Sequence, residues 1–422
     1  MKHYPLNEKQ FLADLRGLLQ IKSVNGGCGP VTDEAPLGKG VYDALEYMLA
    51  LGRKFGFRTK NLDGYCGWIE MGEGSRLVGI IAHVDTVPVE EDGWLAPPFD
   101  GTVIDGRLYG RGACDDKGPA MTALYAMKAV ADSGLTPGKR VRLILGGDEE
   151  AGDWRCMARY RKTEEAPDCA FTPDSEYPVT YAEKGILHVR IYRALGEGVK
   201  PLSISCPNAY NVVPAHAEAE VDGVRYEAAG KASHAMAPHL GVKALVKLCD
   251  ELRAKGVDHP FLRLMENAGP EKFGVAFSDE PSGRLTVNPS IAKVDARSAE
   301  LKCDIRVPVT FTDAQVVDAL AKAVAPFGFS VENEFFQPPL YVEKDSPLVA
   351  TLQAVYKECT GRDDPPASTG GGTYARAFKN AVAFGALFPG EEVTYHKTNE
   401  NWALESIWKN SVSYTHLTLP DE

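Results

Sequence analysis

The run LVGIIA at residues 77–82 contains no polar side chain, and it limits the possible folds more than any other stretch of the chain. A strand with one wet face alternates apolar and polar residues; an unbroken run is required only where both faces are covered. VRLIL at 141–145, interrupted only by Arg142, and AVAF at 381–384 read as further strands. Between them lie helical patterns. Residues 41–55 place Val41, Leu45, Met48, Leu49 and Phe55 on one side, and 118–131 are small and apolar enough for a buried helix. Near the start, Phe11, Leu12, Leu15, Leu18 and Leu19 also follow helical spacing. Helices alternating with covered strands predict an α/β fold, a doubly wound and mostly parallel sheet. Ligands of such sheets collect beyond the carboxyl ends of the strands.

The texture changes between 186 and 338. Short strands at 187–191 and 302–307 flank helices at 242–255 and 314–327, the pattern of a smaller α+β domain. After Pro338-Pro339 the helix and strand alternation resumes at 346–359 and 381–384. The expectation is a catalytic domain in two parts, 1–185 and 339–410, with a lid domain inserted at 186–338. A chain of 422 residues is long enough for two cores. Residues 402–410 begin a last helix, but SVSYTHLTLPDE follows, where β-branched and hydroxyl residues replace helix formers. The string VSYTHLTLP resembles the translation of a transposon-based sequencing adapter. Residues 411–422 are therefore expected to be foreign to the native chain, and His416 is left out of the site.

The formal charge of −12, from 46 Lys and Arg against 58 Asp and Glu, argues against nucleic acid or an anionic membrane as partner. No apolar run is long enough to span a bilayer, and the first twenty or so residues lack the uninterrupted apolar segment of a secretory leader. The nine cysteines are scattered, odd in number and never spaced C-x-x-C. That predicts reduced thiols in the cytoplasm rather than a disulfide framework or a thiolate zinc site.

Four clusters carry chemistry. In His83-Val84-Asp85 the two outer side chains project the same way, so Asp85 can support His83. GRGACDDKG holds Asp115, Asp116 and Lys117, though acids after a glycine turn also suit simple capping of the next helix. GGDEEAG sets Glu149 and Glu150 just after the strand at 141–145, and FTPDSEYP supplies Asp174. Carboxylates gathered at the strand ends of one sheet need protonation or a cation. Histidine and carboxylate ligands without cysteine suit zinc, manganese or cobalt.

With these motifs and their spacing, 32 residues from His83 to Asp115 and 34 from Asp115 to Glu149, the chain resembles the co-catalytic metallo-exopeptidases. That family includes aminoacylase, carboxypeptidase G, succinyl-diaminopimelate desuccinylase and dipeptidase V. Through DDKGP, PDSEYP and GGGTYAR it is most similar to the dipeptidase V branch. The resemblance implies two divalent metal ions, zinc foremost. Asp115 would bridge them, followed by a cis peptide bond; His83 and Asp174 would complete one shell, Glu150 and His396 (in TYHKTNE) the other. Glu149 would be the general base for the water between the metals, with Asp85 supporting His83.

In the lid, the resemblance implies that His234 (GKASHAMAP) stabilises the oxyanion and Arg306 (CDIRVP) grips the substrate carboxylate. Asn211 (YNVVPAHAEAEV) matches another substrate contact. Without the resemblance these three read as a loop-capping Asn, a core His and a surface Arg. The Gly370-Gly371-Gly372-Thr373 loop lacks the Lys-Ser/Thr of a phosphate loop, and its N–H groups, those of Gly371, Gly372 and Thr373 among them, suit a carboxylate. His3, His188, His216, His239 and His259 match no motif and read as surface or packing residues.

These readings lead to a monomeric dipeptidase acting on short peptides with a free N-terminus. The alternatives are an N-acyl-amino-acid deacylase and a non-catalytic binding protein on the same fold. Asp116, with groups of the lid, is the expected anionic partner for a substrate amine.

Overall fold

The computed structural model describes residues 6–90, 92–266 and 268–418. His3 and residues 419–422 of the suspect tail lie outside the described residues. The chain divides into two compact units. Unit 1 comprises Met1–Tyr181, Val342–Ala367 and Thr373–Glu422; unit 2 comprises Ala182–Tyr341 and Ser368–Gly372. The glycine loop, read from sequence with the second catalytic segment, thus falls in unit 2 up to Gly372.

Unit 1 is built on one large sheet whose middle is parallel. Strand Leu77–His83 lies between Arg140–Gly146 and Cys169–Thr172, parallel to both, and Ala381–Phe384 continues parallel beside Cys169–Thr172. Antiparallel strands flank this middle: Cys66–Met71 beside Arg140–Gly146, and Val179–Glu183 beside Ala381–Phe384. Ile80, Ile81, Val141, Leu143, Ile144 and Leu145 have no solvent exposure, the burial that an unbroken apolar run requires. The expected helices form as Glu8–Leu19, Lys39–Lys54 and Lys117–Asp132. In the first, Phe11, Leu15, Leu18 and Leu19 are buried.

Unit 2 is a seven-stranded antiparallel sheet. Its centre is Thr286–Val294, Ser298–Val307 and Gly185–Ala194, with Ser330–Gln337 at one edge and Val224–Ala229 at the other. One face supplies Leu187, Val189, Ile191, Leu301, Cys303 and Ile305 to a core shared with Leu245, Leu248 and Leu320 of helices Ala244–Ala254 and Asp313–Val324. Alternation along the strands then puts His188, Lys302, Asp304 and Arg306 on the other face.

The end of the chain departs from expectation. Trp402 lies in strand Asn401–Ala403, and the final helix, Leu404–Thr418, runs past residue 410. The hydroxyls that argued against a helix bond back within it, Thr415 Oγ1 to Ser411 O at 2.6 Å and Ser413 Oγ to Lys409 O at 3.3 Å. Satisfied in this way, they can be buried. Tyr414 is fully buried, its ring 5.5 Å from that of Phe171 and its hydroxyl donating to Asn410 Oδ1 at 2.9 Å. Among the described residues no helix is long and apolar enough to cross a membrane.

Tyr414→Ala is expected to cost about 3 kcal/mol or more through the cavity it leaves. Tyr414→Phe, which loses one hydrogen bond, is expected to cost about 1 kcal/mol. Urea unfolding of the three proteins measures both, and equal midpoints would show that the last turns of the helix contribute no packing.

Candidate metal centre

The site lies at the carboxyl ends of three adjacent parallel strands. Leu77–His83 ends in His83 itself; Glu149 and Glu150 follow Arg140–Gly146; Asp174 follows Cys169–Thr172. Asp115 stands just before helix Lys117–Asp132, and its peptide bond to Asp116 is cis. His396 comes from a loop near the end of unit 1, with φ of 60°.

The structure brings these residues together. Asp115 Oδ1 is 3.0 Å from His83 Nε2, and Asp115 Oδ2 is 3.0 Å from His396 Nε2. His396 Nε2 is also 2.9 Å from Glu150 Oε1, and His83 Nε2 is 3.7 Å from Asp174 Oδ2. Ligand atoms of His83, Asp115 and Glu150 lie within 4.8 Å of one another, as do those of His83, Glu149 and Asp174. One carboxylate therefore faces two imidazoles with its two oxygens, each imidazole having a further acid beside it.

The electrostatics show what the cluster favours. Burial, then the charge of Asp115, pushes Glu150 up to about 7, and the same two causes push Asp174 up to about 7. Burial and Asp174 raise Glu149 well above the usual carboxylate range. Burial would lower the imidazole of His396, but hydrogen bonds with Asp115 and Glu150 outweigh it and push it up to about 11. His83 is likewise raised against its burial by Asp115 and Asp85. Asp115 is held well below the usual carboxylate range: burial opposes this, and His396 and His83 overcome it. Protons are thus retained wherever a positive charge is wanted, and the donor set fits divalent cations that take imidazole and carboxylate together.

The supporting acids sit differently from the sequence reading. Asp85 does lie beside His83, 3.5 Å from Nδ1, but Nδ1 is closer, at 3.0 Å, to the main-chain oxygen of Asp85. The Asp85 carboxylate instead accepts the backbone N–H of Glu149 at 3.2 Å and of Glu150 at 3.1 Å, which fixes the turn that carries both. Asp116 corrects two expectations. It occupies the N-cap position without a side-chain capping bond, and it is fully buried, so no substrate amine can reach it. Its Oδ2 accepts the backbone N–H of His83 at 3.0 Å.

Sequence reasoning also missed several residues. Asp148, next to Glu149, turns inward to accept Arg155 N at 2.7 Å and Cys156 N at 3.3 Å, at the start of helix Arg155–Thr163. Tyr374 donates to Asp148 Oδ1 and sets its ring edge-on to His83, centroids 6.2 Å apart. Glu400, buried, accepts Arg111 Nη1 at 2.7 Å and Cys114 N at 3.1 Å, and so fastens the strand end after His396 to the loop before Asp115. The one available signal was a charged residue four places after His396, in TNEN.

In unit 2, His234 is exposed and Arg306 is buried, the reverse of the bland readings of a core His and a surface Arg. His234 Nδ1 accepts Met236 N at 3.1 Å, so in the neutral ring the proton sits on Nε2. Asn211 is exposed; its carbonyl accepts Ala235 N at 2.8 Å, which ties it to the His234 segment. Arg306 Nη1 donates to Gly370 O at 2.8 Å, so the arginine and the glycine loop adjoin. The Gly371 N–H, expected to face a carboxylate, donates to Thr369 Oγ1 at 3.0 Å. Thr373 belongs to unit 1, where its hydroxyl caps the short helix Tyr374–Ala377.

The sequence pattern of Peptidase family M20/M25/M40 matches residues 79–419. A Bacillus subtilis (strain 168) protein named "Putative dipeptidase YtjP" is 35% identical over 452 residues, covering 96% of each chain. Two solved structures share the fold. Aminoacylhistidine dipeptidase from Vibrio alginolyticus has a TM-score of 0.61 at 14% identity, over 100% of this chain and 99% of that one. An M20 family metallo-carboxypeptidase from Sulfolobus solfataricus has a TM-score of 0.61 at 18% identity, over 96% and 97%.

A cation entering this site must displace the protons that Glu150, Asp174 and His396 hold. Affinity is therefore expected to rise with pH, by about tenfold or more between about pH 6 and pH 8. Calorimetric titration of metal-free protein with Mn²⁺ or Co²⁺ measures this, and a flat affinity over that range would exclude these groups as ligands.

Proposed function

The chain belongs to Peptidase family M20/M25/M40, and on that premise we propose that its site is a two-cation centre hydrolysing dipeptides and short peptides with a free N-terminus. Family membership makes it a metal-dependent peptidase. Zinc is the proposed metal, with manganese or cobalt the alternatives, and the cytoplasm the proposed compartment, supported by nine free cysteines. A monomer that engages neither nucleic acid nor membrane completes the reading.

The observation that carries it is the pairing around Asp115, whose two oxygens each lie 3.0 Å from a different imidazole. His83 with Asp174 would hold one cation, His396 with Glu150 the other, and Asp115 both. Bound there, the pair would polarise the scissile carbonyl and make the attacking water more acidic. Glu149 lies within reach of the cluster and, raised by burial and Asp174, holds a proton readily. Its role is to take the proton of the attacking water and return it to the leaving amine. Asp85 keeps it in place through the backbone of the turn. Among the residues of unit 2, His234 would donate from Nε2 to the developing oxyanion. Arg306, Asn211 and the stretch Gly371, Gly372, Thr373 would bind the substrate's remaining polar groups.

Glu149→Gln is expected to keep its metal content while kcat falls roughly 10²-fold or more. Elemental analysis beside steady-state kinetics checks this, and substantial residual turnover would remove Glu149 as the base. A panel of free and N-acetylated dipeptides separates peptidase from deacylase. Cleavage of the free dipeptides alone is expected, and preference for the acetylated ones would favour deacylation.

A further inference from the structure

A polar row crosses the sheet of unit 2 on the face away from its core. In register, Asn288 of strand Thr286–Val294 pairs with Asp304 of Ser298–Val307, and Asp304 with His188 of Gly185–Ala194. Asn288 and Asp304 have no solvent exposure, although neighbours on such a face are ordinarily wet. Asp304 holds Arg306, which the proposed function assigns to substrate, while His188 and Asn288 between them hold Asp304 and the residues on either side of Asn211.

Asp304 grips Arg306 two residues along the strand, Oδ1 to Nε at 2.7 Å and Oδ2 to Nη2 at 3.0 Å. With Nη1 on Gly370 O, these bonds take three of the five guanidinium N–H groups. The two that remain, one on Nη1 and one on Nη2, can still donate to a carboxylate. Asp304 therefore decides which way the arginine's fork points. His188 braces Asp304 from the next strand, Nε2 to Oδ2 at 3.4 Å. Its ring stacks on Tyr210, centroids 4.1 Å apart and planes within 5°, with Phe335 at 5.2 Å. Tyr210 precedes Asn211, and Asn288 Nδ2 donates to Val212 O at 2.9 Å on its other side. Ser290 Oγ adds a bond to Tyr210 O at 2.5 Å. The same row thus fixes the direction of Arg306 and both neighbours of Asn211.

We infer that Asp304 and His188 are positioning residues for recognition of the substrate's terminal carboxylate, acting through Arg306. This rests on the proposed role of Arg306. It gives His188, which matches no motif, a task beyond packing. The charge arrangement agrees: burial would raise the Asp304 carboxyl, but His188 and Arg306 hold it below the usual carboxylate range.

The test compares a free-acid dipeptide with its C-terminal amide, assayed on the metal-loaded full chain. The wild type is expected to have a lower KM for the acid. Asp304→Asn is expected to raise KM for the acid roughly tenfold, leaving kcat within about twofold and the amide's KM unchanged. His188→Phe keeps the ring stack but loses Nε2, and is expected to raise KM for the acid about threefold with the same selectivity for acid over amide. If Asp304→Asn fails to fold, His188→Phe decides alone. Variants that leave KM unchanged, or raise it equally for acid and amide, overturn the inference while the reading of Arg306 stands. A wild type indifferent to amidation overturns that reading, and the inference with it.

Discussion

Asp85, Asp115, Glu149, Glu150 and Asp174 repel one another at the strand ends of unit 1, and much of that unit is arranged around their repulsion. Two like charges 4 Å apart oppose each other by about 4 kcal/mol at an effective dielectric near 20. The chain sorts its acids accordingly. Asp85 and Asp148 each have both oxygens on peptide N–H groups, those of Glu149 and Glu150 and of Arg155 and Cys156, while Asp116 accepts that of His83 at Oδ2 alone. Asp115, Glu149, Glu150 and Asp174 are left to face His83, His396 and one another. Adjacent acids in one motif thus divide between holding backbone and facing the imidazoles.

Residues so far apart in sequence meet only if their loops are tied down from outside. The Arg111–Glu400 pair does this for Asp115 and His396. A buried ion pair repays its desolvation only when well bonded, and Glu400 has both oxygens engaged. Lys117, the residue after Asp116, is fully buried and donates to Leu18 O and Ile21 O at the end of the first helix. Burial lowers its ammonium to about 7, against the opposing charges of Asp85, Cys28 and Glu400. Such ties are positional devices, since an apolar contact of equal size would leave direction undefined.

The parallel strands were legible because complete burial writes itself as an unbroken apolar run, and the strand-end rule then located His83, Glu149 and Asp174. What sequence cannot carry is direction. In GGDEE nothing separates Asp148, which turns inward, from Glu149 and Glu150, which do not. In DDKG the backbone sends Asp115 to the imidazoles and Asp116 to the backbone N–H of His83. The last helix was misjudged for a local reason: propensity counts Ser and Thr as poor helix formers, yet bonds to carbonyls four residues back make them tolerable inside. Strand periodicity alone does place Asp304 and Arg306 on one face. His188 joins them only through the pairing of two strands whose register a single sequence leaves open.

The two clusters solve opposite problems with the same side chains. Around Asp115 the acids outnumber their counter-charges, so net charge itself is the attractive force, and a doubly charged ion answers it at short range. Around Arg306 the charge is already matched by Asp304, which weakens long-range attraction for an anion. What remains is a planar fork held at fixed orientation, with its direction set by a buried acid and braced by a stacked imidazole. Recognition of a carboxylate by such a group depends on geometry more than on field, because only an anion that presents two oxygens to the fork recovers the bonds that water would otherwise make. A neutral amide at the same position has one acceptor and brings its own donors against the guanidinium. On the proposed reading, then, neutralising Arg306 sacrifices some affinity for anions in general and sharpens the choice among them.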